Sequence, residues 1–242
     1  MMRFDILTLF PNLFSGFLSE SLIKKALDKK IMEINLINFR DFATNKHKTV
    51  DDYAYSGGAG MLISVEPIHL ALKSIDNYEN AHKVLLSPSG KPLKQKKLVE
   101  LSQYEHLVLI CGHYEGIDER ITNYIDEEIS LGDFVLMGGE VPAMAIIEGV
   151  SRLVGAINEE SIKDESFADN LLEYPQYTKP YEYDGKKVPG VLIGGNHKLI
   201  EEWKRYQSLK KTYLVRPELL KDANLSLKDH QMLWEIKNEK NN

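Results

Sequence analysis

Apolar positions in the first 155 residues fall into short runs separated by helical spacings. Residues 4–10 form one run, ended by Pro11, which predicts a buried strand. Phe14, Phe17, Leu18 and Leu22 then share one helical face, with Ala26 a turn later. Residues 32–39 alternate in part and predict a second strand. Pro67 suits a helix start, and Ile68, Ala71, Leu72 and Ile75 follow at helical spacing. Residues 83–86 and 107–111 are short apolar runs that read as central parallel strands, and residues 134–137 read as another. Ala143, Ile146, Ile147, Val150, Leu153 and Val154 make a wide apolar stripe on a following helix. Strands separated by helices imply βαβ units, hence an α/β fold with a mainly parallel sheet.

The texture changes after Gly155. Residues 156–170 are polar and acidic with weak periodicity, and are expected to form a linker. Pro175, Pro180 and Pro189 keep the next stretch irregular. Helical spacing returns with Leu199, Trp203 and Tyr206. A last helix is predicted from Ser226, where Asp229 completes a Ser-x-x-Asp capping box. The tail, residues 238–242, is expected to fray. The expected organisation is an α/β domain over 1–155, a linker over 156–170 and a small helical domain over 171–242.

Composition narrows the class. Hydrophobic residues make up 43% of the 242 and charged residues 27%, as in ordinary globular proteins. No apolar run approaches the roughly 18 residues that cross a bilayer, and the N-terminus reads as a strand, not a signal peptide. A single cysteine, Cys111, excludes an internal disulfide and a multi-cysteine zinc site, which suits a cytoplasmic location. The net charge of -6 is unevenly spread. Residues 195–221 hold seven basic side chains against three acidic ones. That local excess reads as a solvated helix face or as a grip on RNA, and charge alone favours the first.

Four segments have compositions that structure alone does not demand. Gly57-Gly58-Ala59-Gly60 lacks the lysine of a P-loop and the third glycine of a dinucleotide fingerprint. It is either a ligand loop or an ordinary flexible one. Ser87-Pro88-Ser89-Gly90 follows a strand, where α/β ligands sit, but also suits a plain β-turn. Gly112-His113-Tyr114-Glu115-Gly116 again follows a strand. Glu115 could accept a hydrogen bond from a guanine amino group or imino proton. Asp118 and Glu119 suit a helix cap, His113 could be no more than an exposed loop residue, and Cys111 reads as buried strand, not nucleophile. Around the run at 134–137, Gly132-Asp133 and Gly138-Gly139 either leave backbone donors for a ligand or permit close strand–helix packing.

Taken together and in order, these segments resemble the bacterial tRNA (guanine-N1)-methyltransferases (TrmD) of the SPOUT class. The likeness covers nearly the whole chain. Its most specific blocks are Tyr114-Glu115-Gly116-Ile117-Asp118-Glu119-Arg120 and the stretch from Glu165-Ser166-Phe167 to Tyr177-Thr178-Lys179-Pro180. The resemblance implies a deep trefoil knot in the α/β domain, a homodimer with its active site at the subunit interface, and S-adenosylmethionine as methyl donor. It also implies Mg2+, a tRNA anticodon stem-loop as partner, and methylation just 3′ of the anticodon. Carried over residue by residue, the donor pocket comprises Leu86, Ser87, Pro88 and Gly112, then Leu131, Gly132, Asp133, Phe134, Val135 and Leu136, then Gly138 and Gly139. Tyr114 and Glu115 fall beside the target guanine, with Glu115 also near the metal. Arg152 matches the family's catalytic arginine. Glu165 stands where the family has an aspartate before Ser-Phe, one methylene longer, with Asp169 and Asp164 as nearby alternative bases. Ala54 and Ser56 stand where the family often has Pro and Gly. Two rivals are another SPOUT methyltransferase with a different RNA target and a catalytically dead RNA-binding module. The block after Glu165 argues against the first, and Arg152 with its carboxylates against the second.

Overall fold

The computed structural model describes residues 1–239 except 56, 58, 59, 158–164 and 168. Asp164 and the middle of the expected linker therefore lie outside the described residues, as do Ser56, Gly58 and Ala59. The chain divides into two compact units, Met1–Asn158 and Glu159–Asn242.

In the first unit, β1 (Met2–Thr8) leads through a 3-10 turn into α1 (Ser15–Ser19) and α2 (Ser21–Asp28). The expected single helix is broken here, because Ser21 adopts a left-handed φ of 58°. The break re-phases the face, so Ile23 is buried and Leu22 is exposed. Next come β2 (Met32–Asn38), the short antiparallel pair β3 (Asp51–Asp52) and β4 (Leu62–Ile63), and α3 (Val65–Lys73). The unit continues with β5 (His82–Pro92), α4 (Gln95–Leu101), β6 (His106–Cys111), β7 (Glu127–Ser130) and α5 (Glu140–Ser151). The five long strands form one parallel sheet in the order β2-β1-β6-β5-β7.

Both faces of the sheet are buried, which is why its central strands read as continuous apolar runs. Phe4, Ile6, Leu107 and Leu109 point to one core with α2, α4 and α5. Leu7, Val108 and Ile110 point to the other with α3. Asp5, inside the first apolar run, is fully buried. Its carboxylate accepts hydrogen bonds from His106 at 2.6 Å and Asn35 at 2.9 Å, and pairs with Arg3 at 2.9 Å.

A strand expectation also fails in this unit. Residues 134–137 are not a strand but an exposed loop, with Val135 83% and Met137 92% exposed. The strand lies just before it, in the mixed Glu-Glu-Ile-Ser of β7, whose polar residues hid it. Of the two readings left open for the Ser-Pro-Ser-Gly segment, the plain β-turn is excluded. The segment is the far half of β5, which slips register against β7 between Leu86 and Lys91.

The second unit holds a short antiparallel hairpin, β8 (Glu182–Tyr183) with β9 (Lys186–Lys187), then α6 (His197–Val215) and α7 (Leu227–Glu239). Asn196 caps α6, its side-chain oxygen accepting from the Leu199 amide. The expected capping box forms: Ser226 donates through its amide to Asp229, and Asp229 donates back to the Ser226 hydroxyl. Leu209, Leu233, Ile236 and Leu171 are the buried centre of this unit. Asn238 and Glu239 are helical, and residues 240–242, the rest of the tail expected to fray, lie outside the described residues. No described helix is long and apolar enough to cross a membrane.

Candidate active site

A cleft of about 360 Å³ opens at the carboxyl ends of β5, β6 and β7. Parallel strands direct their following loops to one edge, so ligand sites form there. One wall is the far half of β5, with Leu86, Ser87 and Pro88. The second is the loop after β6, with Gly112, Tyr114 and Glu115. The third is formed by Leu131, Phe134, Val135, Leu136, Gly138 and Gly139. Gly132 and Asp133 are not among its lining residues, and Asp133 is exposed.

Glycines permit this construction by close approach. A Cβ on Gly139 would lie 2.7 Å from the Cys111 Cα, and one on Gly90 2.5 Å from the Ile129 nitrogen. A Cβ on Gly60, whose φ is 92°, would lie 2.3 Å from the Glu115 side chain. The end of the first glycine-rich loop thus packs against Glu115, whose amide donates to the Met61 carbonyl at 3.2 Å. The Gly139 amide donates to the Gly112 carbonyl at 2.9 Å. That amide is therefore spent on packing rather than left for a ligand, which corrects one expectation for the Gly138-Gly139 pair.

The carboxylates and cationic side chains among the described lining residues of the cleft are of one sign. Glu115, Glu119 and Glu128 line it, and no lysine or arginine is among the described lining residues. Ser89 donates to Glu128 at 3.0 Å and shares a 2.6 Å hydrogen bond with Ser87. Glu128 carried no signal in the sequence, since its strand was not read. Asp118 caps the turn after the loop and binds Arg120, which holds its carboxyl below the usual range. Cys111 is fully buried, and burial together with Glu140 pushes its thiol well up, as expected of a structural residue. His113 is more than a loop residue: its Nε2 lies 2.7 Å from Glu140, which is buried.

Arg152 opens a π-helical turn that follows α5 and contains Gly155 at φ 101°. Such turns recur at functional sites. The remaining candidate groups lie in the second unit, where Glu165 and Asp169 share a cleft with Tyr174, Glu201, Lys204 and Arg205. The segment beneath them is strapped to α6. Thr212 accepts the Leu172 amide at 2.8 Å, and Ser208 donates to the Leu172 carbonyl at 2.5 Å. Much of the basic excess at 195–221 is spent inside this unit. Arg205 holds Asp229 through two hydrogen bonds of 2.9 and 3.0 Å, and lies 3.5 Å from Asp169. Lys204 pairs with Glu201, and Arg216 with Glu218. Lys198, Lys211 and Lys221 remain exposed.

The fold and cleft define an α/β protein with a cleft built from loops at the carboxyl edge of a parallel sheet. A family model described as tRNA (Guanine-1)-methyltransferase TrmD matches residues 2–222. Two proteins named tRNA (guanine-N(1)-)-methyltransferase are similar over 99% of this chain. That of Geobacillus kaustophilus is 52% identical and matched over 100% of its length, and that of Dictyoglomus turgidum is 50% identical over 98%. The chain belongs to the tRNA (guanine-1)-methyltransferase TrmD family of enzymes.

Proposed function

We propose that this chain methylates N1 of a guanine in tRNA, immediately 3′ of the anticodon, with S-adenosylmethionine as donor. The observation that carries the reading is the sign of the cleft. A phosphate-bearing nucleotide calls for cationic side chains or free helix amides. Three glutamates with no lysine or arginine among the described lining residues instead suit a ligand carrying a sulfonium and an ammonium charge. The apolar Leu86, Phe134 and Leu136 suit its adenine ring, and Gly112 admits a ligand close to the backbone. Bound there, the donor supplies an electrophilic methyl group.

The chain's own residues supply the rest. Guanine N1 carries a proton at neutral pH and must lose it to become a nucleophile. Glu165 takes that proton as general base, a role typically worth about 10²–10⁴-fold. Arg152 stabilises the negative charge that develops on O6. Asp169 shares the cleft of Glu165 and is the alternative base. Tyr114 and Glu115 contact the guanine. Residues 1–155 bind the donor within a trefoil knot, residues 156–170 carry the base, and residues 171–242 hold the anticodon stem-loop. Two subunits form a homodimer in the cytoplasm, each site shared between them.

Magnesium fits less well. Among the described residues no three His, Cys, Asp or Glu side chains gather around a metal-sized space. Glu115 alone would leave the ion to water and substrate for its remaining ligands, and no step is routed through it.

Methylation of tRNA transcripts tests the reading. Transfer from labelled donor should require guanine at the position 3′ of the anticodon and vanish when that base is adenine. Equal transfer to both transcripts would overturn the target assignment.

A further inference from the structure

We propose that His113, which lines the cleft, and the buried Glu140 and Thr8 form a clasp that fixes the spacing between the Gly112 and Gly138-Gly139 walls of the cleft. His113 is then a positioning residue for the methyl donor, an inference that rests on the donor reading above. Glu140 is 3% exposed and opens α5. A carboxylate this deep is costly unless its oxygens are satisfied. Thr8 donates to one oxygen at 2.6 Å, and His113 Nε2 lies 2.7 Å from the other. The carboxylate accepts, so Nε2 carries a proton. The Thr8 hydroxyl also accepts the Phe10 amide at 2.9 Å, and the Phe10 ring meets the His113 ring edge-on at 4.6 Å.

Three separate chain segments meet at this carboxylate: the end of β1, the loop after β6 and the start of α5. The backbone repeats the connection, through an antiparallel bridge between His113 and Gly138 and the Gly139 amide to the Gly112 carbonyl. A Cβ on Gly138 would lie 2.2 Å from His113 Nε2, so the ring is seated directly on the glycine wall. Loss of the His113 donor leaves one oxygen of Glu140 unsatisfied and draws in water, which opens the wall. Glu140 does not touch the ligand space chemically; it acts through the walls it joins.

The test compares full-length wild type with His113→Leu, His113→Gln and Thr8→Val. S-adenosylmethionine binding is read by calorimetry, turnover by steady-state methylation, and the Gly139 amide by hydrogen exchange. His113→Leu should weaken donor binding at least ~10-fold, raise the donor KM rather than lower kcat, and speed Gly139 exchange. His113→Gln offers an amide donor to Glu140 and should restore most of the affinity and protection. Thr8→Val, nearly isosteric, should shift both in the direction of His113→Leu, and it decides the matter if His113→Leu does not fold. Wild-type affinity and unchanged Gly139 exchange in a folded His113→Leu or Thr8→Val would overturn the clasp. So would a loss that His113→Gln does not rescue, which would assign the effect to ring bulk. Absence of donor binding by wild type would instead defeat the donor reading, and the exchange measurement would still decide the clasp.

Discussion

Gly112 sits at the end of β6 with an open approach to the cleft, and a Cβ there would come within 3.3 Å of the Ile117 Cδ1. That contact is with the tip of a flexible side chain, so a small addition is absorbed but a branched one fills ligand space. Gly112→Val should therefore fold yet lose donor binding, and unchanged affinity by calorimetry in a folded variant would remove Gly112 from the pocket. The base is tested in single turnover. Glu165→Gln should slow methyl transfer at least ~10²-fold with donor affinity intact. A near-normal Glu165→Gln beside a crippled Asp169→Asn would move the role to Asp169. Asp229 gives a pH prediction. The hydrogen bond from Arg205 and those from Ser226 lower its pKa from 3.8 to about 2. A group depressed on folding stabilises the native state above its unfolded pKa, and that contribution fades as pH falls from about 4 through about 2. Asp229→Asn should flatten the acid limb of the unfolding curve over that window, and an identical pH dependence in the variant would contradict the assignment.

At the scale of elements, the run at 134–137 shows how an apolar pattern misleads. Phe134, Val135, Leu136 and Met137 carry strand-like residues, yet all four are exposed. Periodicity reports apolar positions without saying what covers them, and here no described part of the chain does so. The strand beside them, β7, is polar at three of its four positions because it is an edge strand. The basic residues of the second unit divide into Arg205, which is held by Asp229, and the exposed Lys198, Lys211 and Lys221. Arg205→Gln should destabilise the full chain by about 2–3 kcal/mol, since Asp229 loses its charged partner. The triple change of Lys198, Lys211 and Lys221 to Gln should leave stability nearly unchanged and weaken tRNA binding. Its salt slope should fall by up to about 2–3 as phosphate contacts are lost. An unchanged slope would return this face to simple solvation.

For the whole molecule, Arg152 belongs to the first unit and Glu165 to the second. If two subunits share each site, inactive variants should complement. A Gly112→Val subunit paired with a Glu165→Gln subunit places both defects in one site and leaves the other intact, so activity should return to about half of wild type. Sites built within single subunits would give no recovery in a heterodimer confirmed by native mass spectrometry. The pattern of residues by itself determined the parallel α/β class, the caps of the last helix, the buried role of Cys111 and the family, because local spacing and ordered motifs are written along the chain. It did not determine the negative sign of the cleft, the buried Glu140 beneath His113 or the internal use of Arg205. Each depends on side chains from separate segments brought together in space: Glu115 and Glu128 lining one cleft, His113 and Thr8 with Glu140, Arg205 with Asp229. Burial and charge compensation at those meetings are properties of packing, which one-dimensional order does not contain.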